Sequence, residues 1–229
     1  MNCYLIPSIN GNSEFIETEQ TEWSHKWSED VMYYDIIGEC KSLSRKQLER
    51  GLNLAFSTWE AEINIKLHPS RMHNKIPNFT IDFKTSDEEK QFKDSPSVLA
   101  YAYYPGQGSV SGKVVFNNDY IWSLDGKEVK AKDAIDRGYP VKGTPSPEQL
   151  LRTYKFITVA IHELGHSLGL KHDEHGDTVD AMDSHYKGMD VLSNWDILRI
   201  RLKYPERIFK HEGYQRFKTA ILRAIRRSF

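Results

Sequence analysis

Cysteine is nearly absent from this chain of 229 residues: only Cys3 and Cys40 occur. Two thiols do not make a disulfide framework. They read as unpaired, with a single disulfide as the alternative, so the compartment stays open. No run of about 18 apolar residues exists, and no helical membrane span is expected. The opening MNCYLIPSINGNSEF lacks a basic stretch, a sustained apolar stretch and a small-residue cleavage site, so no secretory signal is read there. An excess of either charge is missing too. The 31 Lys and Arg against 32 Asp and Glu leave a net of −1 and a pI near 6.8. A dedicated nucleic-acid binder should be strongly basic, so that class is set aside. Repeats and low-complexity tracts are lacking. What remains is 39% hydrophobic and 12% aromatic, enough for a core and too much for a disordered chain.

Residues 1–22 are polar, with Glu14, Glu17, Glu19 and Glu22. They read as an irregular or loosely attached arm. Val31–Ile37 is rich in β-formers and predicts a strand. Ser44 with Gln47 makes a capping-box pattern, and Leu48, Leu52, Ala55, Phe56 and Trp59 then recur at helical spacing. Ile63, Ile65 and Leu67 alternate as a strand, as do Phe79, Ile81 and Phe83. Residues 84–97 predict a surface loop. Val98–Tyr104 and Lys113–Phe116 predict two further strands around a turn with Pro105, Gly106 and Gly108. Residues 123–146 are loop-like. Ser146-Pro147-Glu148 supplies an N-cap, a proline at the first helical position and an acid in the first turn. The helix expected there has no breaker until Gly165 and Gly169. A last helix is expected over Ser193–Leu202. Strands dominate the first half and helices the second, which makes the fold class α+β. The tail from Glu206 to Phe229 has seven Lys/Arg against two Glu, a net of +5, leaving −6 for residues 1–205. Phe217, Ile221, Leu222 and Ile225 fall at helical spacing. The tail reads as a basic amphipathic helix, packed on its own domain or touching an acidic partner or membrane surface.

The chemistry concentrates in residues 162–172. His162 and His166 stand four apart, so on a helix both imidazoles project from one face. Each can place a nitrogen about 2.0–2.1 Å from one Zn²⁺. Glu163 lies beside them and can take a proton from a metal-bound water. Gly169 permits a sharp turn, because glycine readily takes positive φ. His172 then supplies a third ligand. Three neutral imidazoles leave one position open for water, as a catalytic site requires; a structural site is closed by four ligands. Asp173, Asp177, Asp180, Asp183, His175 and His185 read as solvated loop residues, with a spare ligand among them as the alternative.

This HExxHxxGxxH pattern resembles that of the metzincin zinc peptidases, and Ala181-Met182-Asp183 stands where those enzymes place their methionine turn. The likeness extends to the matrixin catalytic domain over about Lys26 to Pro205. It is carried by Lys26-Trp27 with Val31–Tyr34, by Ala55-Phe56 and Trp59, and by Leu99–Ala102 with Pro105-Gly106. Gly112–Phe116 with Trp122, Leu192-Ser193 and Asp196-Ile197 complete it. The resemblance implies a twisted mixed sheet, a long active-site helix and a C-terminal helix. It implies one catalytic Zn²⁺ on His162, His166 and His172, with Glu163 as the catalytic base and Met182 beneath the metal. It also implies a substrate-binding edge strand at Leu99, Ala100, Tyr101 and Ala102, and a pocket lined by Thr158 and Tyr186. A small residue at 158 implies an open pocket for medium or large apolar side chains, and Ser184 replaces a proline common in its wall.

The departures matter as much. Residues 84–97 lack the family's His-Gly-Asp ligands, and Tyr101 and Val115 stand where two histidines would be. No structural zinc is expected, and calcium is unsupported; an aromatic and a valine there could replace ligation with packing. Neither cysteine lies in a propeptide-switch motif, and Trp195 replaces an acid that receives the new N-terminus in many members. A zymogen stage of that kind is not expected, nor a haemopexin-like module. The expected organisation is an arm over 1–22, a catalytic domain over 23–205 and a tail over 206–229. The expected activity is a monomeric, zinc-dependent endopeptidase acting on proteins or peptides, extracellular by resemblance. The competing readings are a zinc-holding adaptor that no longer cleaves, and a different zinc hydrolase on the same ligands.

Overall fold

The computed structural model describes residues 2–7, 25–173 and 180–205, with side chains described from residue 25 onward. In chain order the strands are β1 (Asn2–Pro7), β2 (Val31–Ile36), β3 (Lys66–Pro69), β4 (Phe79–Lys84), β5 (Ala100–Tyr103) and β6 (Lys113–Asn117). The short strands β7 (Trp122–Ser123), β8 (Val129–Lys130), β9 (Leu150–Leu151), β10 (Tyr154–Lys155) and β11 (His185–Tyr186) follow. The helices are α1 (Arg45–Ile63), α2 (Ser70–His73), α3 (Lys90–Asp94), α4 (Ala131–Asp136), α5 (Phe156–Ser167) and α6 (Asn194–Lys203). The main sheet has seven strands in the order β11-β1-β5-β6-β4-β2-β3, both parallel and antiparallel. This is the α+β, mixed-sheet architecture expected. No described helix is long and apolar enough to cross a membrane.

Local chemistry explains two helices well. The Ser44 hydroxyl caps α1 by accepting from the Gln47 amide, and the Ser44 amide in turn donates to Gln47 Oε1 at 2.9 Å. Leu48, Leu52, Ala55, Phe56 and Trp59 are all buried, as the spacing predicts. Ser193 and Asp196 make the same reciprocal cap on α6. The end of α1 differs from the sequence reading. Ile63 is its last, buried residue, and Asn64 turns the chain in the left-handed region (φ 48°). The following strand therefore starts at Lys66.

Elsewhere tertiary pairing overrides local signals. Ser146-Pro147-Glu148 closes only a single turn, the Gln149 amide donating to the Ser146 carbonyl. Residues 150–155 then run in short strands, and α5 begins at Phe156 without a side-chain cap. The Thr153 hydroxyl donates to the Lys127 carbonyl, and the Tyr154 amide to Ile121. Those long-range bonds hold the segment extended. The expected loop 84–97 contains α3, because Phe92 is fully buried beneath it. The loop-like stretch 123–146 contains α4, which buries Ala131 and Ala134.

The N-terminal arm needs the largest correction. Residues 2–7 form β1, an inner strand of the main sheet, and not an irregular attachment. Its Cys-Tyr-Leu-Ile run is β-prone, a signal diluted by the glutamates after it. Consequently β5, expected to be a free edge, is flanked by β1 and β6. Residues 8–24, and the basic tail 206–229, lie outside the described residues.

The core lies where α1 and α5 pack on the sheet. Phe116 stacks near Phe83 at 5.2 Å and meets Phe156 of α5 at 5.0 Å. Phe56, Trp59, Phe79 and Trp122 complete this aromatic interior. A second small cluster joins Phe92, Val98, Tyr101 and Val115. Tyr101 and Val115 are cross-strand partners there, so the packing expected in place of metal ligation is present.

Candidate metal centre

Helix α5 carries His162, Glu163 and His166 on fully or nearly fully buried positions. It ends in a Schellman motif. The Leu170 amide donates to the Gly165 carbonyl at 2.9 Å, and the Gly169 amide to His166 at 2.8 Å, the bond pair that defines that cap. Gly169 has φ +99°, which only glycine adopts readily. The reversal brings His172 back beside the helix. Indole and phenol groups fasten it: Trp27 Nε1–H donates to the Ser167 carbonyl (2.8 Å), and Tyr204 O–H to Leu168 (2.9 Å).

The three imidazoles converge. His162 Nε2 lies 2.9 Å from His166 Nε2 and 3.2 Å from His172 Nε2. Nδ1 of His162 contacts the Ala181 carbonyl at 2.6 Å, and Nδ1 of His166 contacts that of Leu170 at 2.7 Å. A carbonyl only accepts, so both Nδ1 atoms carry protons, and both Nε2 atoms present lone pairs. Facing lone pairs repel unless a cation lies between them. Tetrahedral zinc with N at 2.0–2.1 Å sets its nitrogens about 3.3 Å apart, near the spacing seen. The donor set therefore fits one divalent, zinc-type ion, and the three ligating atoms lie within 4.8 Å of one another.

Electrostatics agree with this donor set. Burial lowers the His162 pKa to about 4. Burial, then the neighbouring imidazoles, hold His166 well below the usual range; for His172 burial leads, followed by His162 and Arg199. All three are thus kept neutral and able to ligate. Glu163 is fully buried, and burial drives its pKa well above the usual carboxylate value. Neither of its carboxylate oxygens has a hydrogen-bond partner among the described residues. A buried, unpaired carboxyl is costly, and such groups concentrate at functional sites.

The support beneath the site comes from the segment after it. Met182 is fully buried, and a Cβ added at Gly165 would fall 2.3 Å from its sulfur. The methionine thus lies directly under the turn of α5 between the two histidines. Asp196, which the sequence reading placed only in a helix start, holds this segment. Its Oδ2 accepts from the Ala181 amide at 2.8 Å and from the Ser193 amide at 3.0 Å. Arg199 donates to the Lys171 carbonyl at 2.8 Å, next to His172. Its burial in α6 was not legible locally; the cap pattern at Ser193 was the nearest signal.

Thr158 and Tyr186 line one cavity with His162 and Met189. The Thr158 side chain is held in place by polar partners. The Thr158 hydroxyl donates to Asp190 at 2.5 Å, and Asp190 also pairs with Lys155. The Lys155 amide donates to the Tyr186 hydroxyl at 3.1 Å. Asp180, Ala181, His185 and Lys187 also line this cavity, so polar and apolar groups both face it. Ala100, Tyr101 and Ala102 lie in β5, which packs against α5, and Leu99 directly precedes it. All four are buried.

Comparison with known proteins places these features in context. The chain is 31% identical to matrilysin of Felis catus over 188 residues, covering 80% of this chain and 61% of that protein. It is 27% identical to stromelysin-1 of Mus musculus, covering 84% of this chain and 33% of that one. It is 26% identical to karilysin of Tannerella forsythia, covering 75% and 33%. The chain thus spans less than two thirds of these relatives' lengths. A family model for matrixins matches residues 26–204, from just before Trp27 to the Tyr204 clamp. The chain belongs to the matrixin family, a family of zinc metalloendopeptidases.

Proposed function

We propose that this chain is a zinc-dependent endopeptidase that hydrolyses internal peptide bonds of proteins or peptides, with residues 23–205 as the catalytic unit. The observation that carries it is Glu163: a carboxyl buried without hydrogen-bond partners on the helix that carries two of three converging imidazoles, next to His162 in the chain. His162, His166 and His172 are the ligands. A Zn²⁺ held there supplies Lewis acidity and makes a coordinated water acidic. Glu163 takes the proton of the attacking water and passes it to the leaving amine. A carboxyl with no fixed hydrogen-bond partner is available for both roles. An extended substrate pairs with the strand at Leu99, Ala100, Tyr101 and Ala102 through main-chain bonds. The cavity at Thr158 and Tyr186 receives one substrate side chain. Incubation with unfolded casein tests the reading. Cleavage that a hydroxamate chelator stops is expected. Intact casein alongside stoichiometric bound zinc would contradict it and select a non-cleaving adaptor.

A further inference from the structure

The strand assigned to substrate is already paired. Strand β1 lies antiparallel to β5, with Asn2 opposite Tyr103, Cys3 opposite Ala102, Tyr4 opposite Tyr101 and Leu5 opposite Ala100. It then changes partner. Ile6 and Pro7 run parallel to β11, opposite His185 and Tyr186. One short segment therefore bridges the two strands that flank the metal-binding helix, and β1 itself runs beside α5. Both flanking strands belong to the proposed substrate site: β5 carries the pairing residues, and β11 carries Tyr186 of the cavity. An exposed strand edge has one row of N–H and C=O groups and accepts one partner chain.

We infer that residues 2–7 are a built-in occupant of the peptide slot, and that an extended substrate must displace them. The inference rests on the peptidase reading only for the identity of the competitor; the occupancy itself is a property of the sheet. Because the occupant belongs to the same chain, dilution does not relieve the competition. The partner switch at the Leu5–Ile6 bond also defines what the slot accepts: four residues paired on β5, then two paired on β11. A linear hexapeptide of the same sequence should fit it.

The test uses the full chain carrying Glu163→Ala, so that no cleavage intervenes, with and without Tyr4→Pro plus Leu5→Pro. Proline donates no ladder hydrogen bond, and two consecutive prolines remove a β5-facing donor whichever parity the strand has. Hydrogen exchange should show protected amides at alternate residues of 100–103 in the parent. In the proline variant those amides should exchange at least tenfold faster, with α1 and α5 unchanged as the control for folding. Labelled Asn-Cys-Tyr-Leu-Ile-Pro, followed by fluorescence anisotropy, should bind the proline variant and not the parent. Fast exchange at those amides in the parent, or equal peptide binding by both forms, overturns the inference. The parent measurement alone decides the matter if the variant does not fold. These readouts need no turnover, so a chain that binds the hexapeptide and never cleaves casein loses the peptidase reading alone.

Discussion

The indole Nε1–H of Trp59 donates to the carbonyl of Ile161 at 2.9 Å, across 102 residues of chain. Ile161 immediately precedes His162, so α1 grips α5 at the first metal-binding turn. The indole also lies against Gly165, one turn further on. The capping box at Ser44 and the apolar stripe of α1 thereby set the height and rotation of the helix that carries the histidines.

Trp59→Phe keeps most of the ring and removes the bond. The loss should be about 1–3 kcal/mol, from a missing hydrogen bond and a small cavity. Thermal denaturation should show a drop of about 2–4 °C per kcal/mol for a domain of this size. An unchanged midpoint would mean that the indole bond contributes nothing to the α1–α5 contact.

Gly165→Ala places a methyl group against Met182 and Trp59, with contacts of 2.3 and 2.9 Å before relaxation. Alanine is otherwise the better helix former by up to about 1 kcal/mol. Overpacking costs about 1–3 kcal/mol and should win. The methionine turn would be pushed off the helix, taking the Ala181 carbonyl from His162. Lower stability and weaker zinc affinity, read by competition with a chromophoric chelator, are expected together.

Glu163→Ala should retain zinc and lose at least about 10²-fold in turnover, the usual worth of general acid–base catalysis. Zinc content by elemental analysis and peptide hydrolysis measured on the same sample separate the two effects. Near-normal turnover would refute the base.

The metal-free protein should lose stability as pH falls below about 6.5, where unfolded histidine begins to protonate. Burial lowers the folded pKa of His162 to about 4 and lowers His166 and His172 as well. Between those values the unfolded chain binds more protons at these three sites, so acid favours unfolding. Glu163 and Asp196 act in the opposite sense, since burial raises the folded pKa of each and they favour proton uptake on folding. Three histidines outweigh two carboxyls, and the net slope is positive. Urea midpoints of chelator-treated protein at pH 7 and pH 5 should show the lower value at pH 5.

Much of this was legible because it is local. The capping box at Ser44 involves residues three apart, and the His162-Glu163-His166 spacing is one helical turn. The turn at Gly169 and the third histidine follow from the same short stretch. What was not legible depends on distant partners. The start of α5 was placed too early because Tyr154 is held by Ile121, a bond no local pattern announces. Phe92 turned a polar stretch into a helix by burial against Tyr101. The partner that holds the Thr158 hydroxyl, Asp190, lies 32 residues later in the chain, beyond any local pattern. Strand β1 was hidden because its register is set by β5 and β11, far along the chain.

The central claim is that three histidines hold one catalytic zinc with Glu163 as the base. Zinc titration into chelator-stripped protein, with casein cleavage measured at each step, tests it most directly. The account predicts cleavage that rises with zinc, levels off at one equivalent per chain and is abolished by Glu163→Ala. Absence of cleavage at every zinc level, or full activity that persists in Glu163→Ala, would contradict it.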